Sequence, residues 1–143
     1  MIPTNEIERL VVLIAEKMGI ALPPSVTVKV DLWFIAGHLN AGCYADSLKV
    51  IGISSNHATR GDLIETIAHE LVHVEQYALG KLKDTTMGPY WMGKDFVLEN
   101  LLATQLRNQA AYEALPWEFE ANARAKAFRQ FVYPTIKELL EVA

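Results

Sequence analysis

The sequence predicts an α+β domain in which a small mixed or antiparallel sheet packs against a central helix and further C-terminal helices. Three observations lead there: helical apolar spacing near the N-terminus, β-like runs between residues 26 and 53, and a return to the helical period from Gly61 onward. In the first segment Ile7, Leu10, Val11, Ile14 and Met18 share one face, with Asn5 as an expected N-cap, Glu8 three positions on and Gly19 at the end. After Pro23-Pro24, Val26, Val28 and Val30 alternate with polar residues, and further strands are expected over Trp33 to Ala36 and Leu48 to Ile53. Gly37, Asn40 and Gly42 read as turns between them. The gaps are too short for helical crossovers, which sets the expectation of a mixed or antiparallel sheet. A helix is expected over Gly61 to Leu79, then a loop over Asp84 to Gly93. Helical pattern resumes from Asp95 to Ala114, and again from Pro116 to Tyr133, where Pro134 opposes simple continuation.

A length of 143 residues suits one domain, expected to span 1–143, with its own hydrophobic core. Half the residues, 51%, are hydrophobic and 21% are charged, which is globular composition. Thirteen Lys and Arg against 17 Asp and Glu leave a net charge of -4, so no electrostatic attraction to nucleic acid or anionic membranes is expected. Arg124, Lys126 and Arg129 recur at helical spacing and read as a solvated helix face. Cys43 is the single cysteine, excluding an intramolecular disulfide and fitting a reducing compartment. The first ten residues lack the pattern of a signal peptide and no apolar run reaches membrane-span length. A cytoplasmic protein is expected.

The chemistry concentrates in His69-Glu70-Leu71-Val72-His73, an H-E-x-x-H segment. On a helix this spacing sets two imidazoles one turn apart with a carboxylate beside them, so that both rings can bind one zinc ion while Glu70 reaches a water there. At about 100° per residue, the apolar residues of the segment fill an arc from roughly 120° to 300° measured from His69. Glu65, Thr66, His69, Glu70, His73, Gln76 and Tyr77 occupy the remaining arc, which is expected to face a cleft.

Catalytic zinc usually takes three protein ligands and keeps a fourth position for water. Gln76 and Leu79 stand where a metzincin would continue its motif, which excludes that pattern. His38 and His57 are available but isolated. A stronger candidate is Pro116-Trp117-Glu118-Phe119-Glu120-Ala121-Asn122, where proline can open a helix. Measured from Glu118, Ala121, Ala125, Phe128 and Val132 fall within about 80°, whereas Glu120 lies about 160° away. The small alanines would let this helix approach the first closely enough for Glu118 to reach the metal. Glu120 is the alternative.

These residues resemble the gluzincin branch of zinc metallopeptidases, in which H-E-x-x-H is followed by a downstream helix supplying a Glu ligand. Glu118-Phe119-Glu120-Ala121-Asn122 is similar to the E-x-x-A-[DN] signature of ImmA/IrrE-type and related membrane-associated gluzincins, and the strands before the active helix resemble a minimal zincin core. The resemblance spans roughly residues 26 to 130. It implies a zincin-like fold, a peptide or protein substrate, and zinc held by His69, His73 and Glu118 with Glu70 as general base. It also suggests that an edge strand, Val50 to Ile53, pairs with the substrate. Tyr112, His57, Tyr77 and Tyr90 are candidates for the oxyanion donor. The alternative is a catalytically silent zincin-fold module that uses zinc for stability and acts through a protein partner; retention of Glu70 disfavours it, because a structural site needs no base.

Overall fold

A computed structural model describes residues 2–31 and 41–141. The architecture is α+β, with two small sheets and several helices. Helix α1, Thr4–Met18, buries Ile7, Leu10, Val11 and Ile14 on one face, as its periodicity predicts. It starts earlier than Asn5 would set it. Pro3 occupies the N-cap position, with no side-chain hydrogen bond there.

Strands β1, Thr27–Val30, β2, Gly42–Ala45, and β3, Val50–Ile53, form a mixed sheet in the order β1-β3-β2. β1 runs parallel to β3 and β2 antiparallel to it. Two expectations change. Gly42 lies within a strand instead of a turn, and Val50 to Ile53 is central instead of an edge, because β1 and β2 take both of its sides. Close approach explains Gly42: a Cβ there would sit 2.9 Å from Thr66 Cγ2 and 3.0 Å from the Gly52 carbonyl oxygen. The strand expected over Trp33 to Ala36, the turns at Gly37 and Asn40, and His38 lie outside the described residues.

Helix α2, Arg60–Ala78, is opened by Thr59, whose hydroxyl accepts the Asp62 N–H at 3.0 Å. Its apolar face packs Leu63, Ile64, Ile67 and Leu71 against α1 and the sheet, in a core with Ile51 and Ile53. Each such side chain contributes about 1.5–3 kcal/mol by leaving water. That core fixes which face of α2 remains for chemistry.

The segment expected to be a loop forms a second sheet instead, an antiparallel meander of β4, Leu82–Thr85, β5, Gly88–Trp91, and β6, Lys94–Asp95. Met92 and Gly93 connect β5 to β6 with φ of 52° and 80°, the sign a two-residue type I′ turn requires at both positions. The single helix expected over Asp95 to Ala114 is two, α3, Val97–Gln105, and α4, Gln109–Glu113. Arg107 at φ 51° breaks the ladder and Asn108 caps α4 by accepting the Ala111 N–H at 3.0 Å. Leu82, Ala103, Leu115 and Trp117 form a second, smaller core beneath this excursion, with Phe96 edge-on to Trp117 at 5.9 Å.

Helix α5, Pro116–Ala127, has Pro116 in its first turn and buries Trp117, Glu118, Ala121 and Ala125. Among the described residues, its contact with α2 is the most extensive between two elements. A π-helical turn, Phe128–Val132, follows, and α6, Tyr133–Glu141, continues beyond it. Pro134 therefore does not end the helical run. The wider turn relaxes the ladder where proline supplies no N–H and its ring would press on the preceding turn. Two of the three C-terminal basic residues form ion pairs while staying partly exposed to solvent: Arg124 with Glu75 at 2.5 Å, and Arg129 with Asp62 at 2.8 Å. Both pairs join the C-terminal helical run to α2, and at this exposure solvent screening leaves them little weight: Arg124 with Glu75 contributes at most about 1 kcal/mol. Among the described residues, no helix is long and apolar enough to cross a membrane.

Candidate metal centre

His69 and His73 project from α2 one turn apart, with their Nε2 atoms 3.1 Å from each other. Glu118 arrives from α5 and presents one carboxylate oxygen to each ring, Oε1 to His69 Nε2 and Oε2 to His73 Nε2, both at 3.1 Å. The alanines of α5 make this approach possible, since Ala121 and Ala125 are buried on the same face as Glu118. Glu70 is buried beside the histidines, and ligand atoms of His69, Glu70 and His73 lie within 4.8 Å of one another. This group could hold a metal ion.

The donor set can be tested against zinc. Tetrahedral bonds of about 2.0–2.1 Å place neighbouring donors roughly 3.3 Å apart, close to the 3.1 Å separations here. Two nitrogens and a carboxylate oxygen are also the ligand chemistry a catalytic zinc site uses. Glu118 fits as third donor better than Glu70, because its oxygens meet both rings directly.

Gln76 orients the histidine. Its Nε2 donates to the Trp117 carbonyl oxygen at 3.0 Å and to Glu120 Oε1 at 3.1 Å, which fixes the amide's orientation. Its Oε1 therefore faces His73 and accepts from Nδ1–H at 2.7 Å. With Nδ1 carrying that proton, Nε2 is the atom left for a metal. The residue expected to line an open cleft is in fact fully buried between α2 and α5. Its role was missed in the sequence; the available signal was a glutamine three positions after His73 on the polar arc.

The carboxylates shape the protonation of the site. Burial pushes Glu118 up, but hydrogen bonds from His69 and His73 outweigh it and hold Glu118 down at about 2. Burial pulls His73 down, yet the hydrogen bond to Glu118 and the charges of Glu70 and Glu118 push it up to about 9. The proton shared at Nε2 is the one a bound metal displaces. Burial raises Glu70, partly offset by the two imidazoles.

A cavity of about 1140 Å3 opens onto these groups. β2 forms one wall and the α3–α4 segment another, including Arg107 and Tyr112. Among the four oxyanion candidates, Tyr112 lines the cavity, and its ionisation is pushed up by burial and by the charges of Glu118 and Glu70. Tyr77 also lines it, but its hydroxyl is engaged with Asp84 at 3.0 Å. His57 turns its Nε2 to Thr66 Oγ1 at 3.2 Å and lies outside the cavity wall, as does Tyr90.

Glu120 is placed apart from the imidazoles, on Gln76 and within 3.9 Å of Arg124. Glu118→Gln is therefore expected to weaken zinc affinity more than 100-fold, beyond the roughly 10–100-fold typical of outer-shell changes, whereas Glu120→Gln falls within that lower range. Zinc titration against a competing chelator checks it; a larger loss in Glu120→Gln would reverse the assignment.

No family model, curated protein or solved structure matches this chain.

Proposed function

We propose that this chain is a zinc-dependent metallopeptidase of the gluzincin type, acting in the cytoplasm on a peptide or protein substrate. The observation that carries the reading is the Glu118 carboxylate seated between the two Nε2 atoms, each oxygen 3.1 Å from one ring. A sequence-remote acid meeting both histidines of an H-E-x-x-H helix is the arrangement that gluzincin catalysis uses. The zincin-like part of the fold is supported by the mixed sheet packed on α2 and by α5 lying against it. The single cysteine, Cys43, supports a reducing compartment.

His69, His73 and Glu118 would hold zinc, which when bound supplies Lewis acidity to a scissile carbonyl and lowers the pKa of water towards 7. Glu70 takes the proton of the attacking water and delivers it to the leaving amine. Burial raises the proton affinity of its carboxylate, which strengthens the ionised group as a base and lets it hold the proton between the two transfers. Tyr112 donates its hydroxyl to the carbonyl oxygen as negative charge develops there. Among the described residues β2 is an edge strand and lines the cavity, so an extended peptide would pair along it, the role first expected of β3.

The test combines elemental analysis with cleavage of a peptide library. Purified protein is expected to hold stoichiometric zinc, to cleave, to lose cleavage on chelation and to recover it on adding zinc. Absence of zinc after reconstitution, or cleavage indifferent to chelation, would overturn the reading.

A further inference from the structure

Of the five arginines in the chain, four hold a partner. Arg60 pairs with Glu6 at 2.6 Å, Arg124 with Glu75, Arg129 with Asp62, and Arg9 donates to the Leu140 carbonyl oxygen at 3.3 Å. Arg107, in the turn between α3 and α4, has no carboxylate within 4 Å and no hydrogen bond from its guanidinium among the described residues. Its backbone closes α3. The Arg107 N–H donates to the Thr104 carbonyl oxygen at 3.3 Å and the Asn108 N–H to that of Ala103 at 3.1 Å, with Arg107 at φ 51°. This left-handed position after a helix is normally glycine's, because a β-carbon strains it. A side chain with no partner in the fold thus occupies a place where any side chain costs stability.

What accounts for an arginine there is the cavity. Arg107 lines it, and among the described residues no other lysine or arginine does. The acids of the same wall already face donors or imidazoles: Glu118 meets both histidines, Glu65 lies 3.5 Å from Arg129, and Glu113 accepts from the Gln109 amide at 3.2 Å. Glu70 is buried beside His69 and His73. The guanidinium is therefore the unmatched charge of the wall. Its planar fork of N–H donors fits a carboxylate in both shape and charge, repels a basic side chain, and finds no counterpart in an apolar one. On a peptide the complementary group is a carboxylate, of an acidic side chain or of the C-terminus.

We propose that Arg107 binds a carboxylate of the substrate peptide and so sets where along the peptide cleavage falls. The proposal rests on the peptidase reading and names the class of peptide it prefers. Tyr112 follows Arg107 by five positions on the same wall, about 7.5 Å along the chain at the helical rise. With Tyr112 at the scissile carbonyl and an extended peptide advancing about 3.3 Å per residue, the carboxylate sits about two residues from the scissile bond.

Two readouts test it on the full chain: binding of fluorescein-labelled hexapeptide pools to zinc-loaded Glu70→Gln protein, and cleavage of the same pools by wild type. One arm compares a C-terminal acid with a C-terminal amide. The other, with amide ends throughout, compares glutamate with glutamine fixed at each position in turn. The acid is expected to exceed its neutral counterpart by about tenfold in one arm, which identifies the source of the carboxylate, and the excess should shrink as salt rises. Arg107→Gln should bring acid and neutral peptides level, and Arg107→Lys should keep a reduced preference, since the charge remains and the fork is lost. Arg107→Gly should lose the preference while matching or exceeding wild type in thermal stability, because glycine relieves the left-handed turn; a purely structural arginine would show the opposite. Acid preference in binding with no cleavage by wild type would sustain the subsite and sink the peptidase reading. Equal use of acid and neutral peptides in both arms, or an acid preference untouched by Arg107→Gln, would overturn the subsite alone. Failure of every pool to bind and to be cleaved would overturn both.

Discussion

Glu70→Gln is expected to keep its zinc and lose turnover by about 10²–10⁴-fold, the contribution a positioned general base makes. The amide preserves the size of the side chain, and His69, His73 and Glu118 are untouched, so the metal-binding face should survive. Glu70 is buried and its carboxylate is raised by that burial, so replacing it with a neutral group removes a desolvation cost and should not destabilise the fold. Zinc per chain by elemental analysis and kcat on any library peptide check both halves. Near-normal kcat in fully loaded Glu70→Gln would remove Glu70 from the mechanism.

The second large effect concerns His69→Ala and His73→Ala. Each deletes one of three protein donors and should weaken zinc binding by more than the roughly 100-fold upper range of outer-shell changes. Zinc should also raise the thermal stability of the wild type, by about 2.7 kcal/mol at a free concentration 100 times Kd, and this gain should vanish in both variants at that concentration. His73→Ala carries an added penalty: it strands the Gln76 carbonyl, which is buried and otherwise bonded to Nδ1. The variants should therefore be unequal in stability before zinc is added, with His73→Ala the weaker. Unchanged zinc affinity in both would place the metal elsewhere.

The helical part of the molecule was largely legible in the sequence. The apolar faces of α1 and α2 follow their spacing, and the phase of Glu118 relative to Ala121 and Ala125 anticipated which acid α5 turns towards the histidines. The meander was not legible, because β4 reads Leu-Lys-Asp-Thr with only Leu82 buried, leaving no alternation to detect. Its strands are defined by pairing with one another and by the Trp117 core beneath. β2 escaped notice for a related reason: Gly42 signals a turn by composition, while its actual constraint is the proximity of Thr66. Gln76 was expected to line the cleft because helical phase tells which direction a side chain points and nothing of what covers it. Cover came from Trp117 and Glu120, more than forty positions away.

Through Gln76, affinity for a metal bound as proposed would be a property of two helices at once. The Gln76 amide joins His73 on α2 to the main chain of Trp117 at the start of α5, just before Glu118, so ligand orientation and helix docking are coupled equilibria. Coupling of this kind is reciprocal: whatever factor docking of α5 adds to zinc affinity, zinc adds to the docking of α5. The excursion between residues 82 and 115 connects the two helices and lines the cavity through Arg107 and Tyr112, so it would have leverage over a bound metal. A partner that pulled on α3 would be felt as zinc release, and zinc loading would be felt as resistance to that pull.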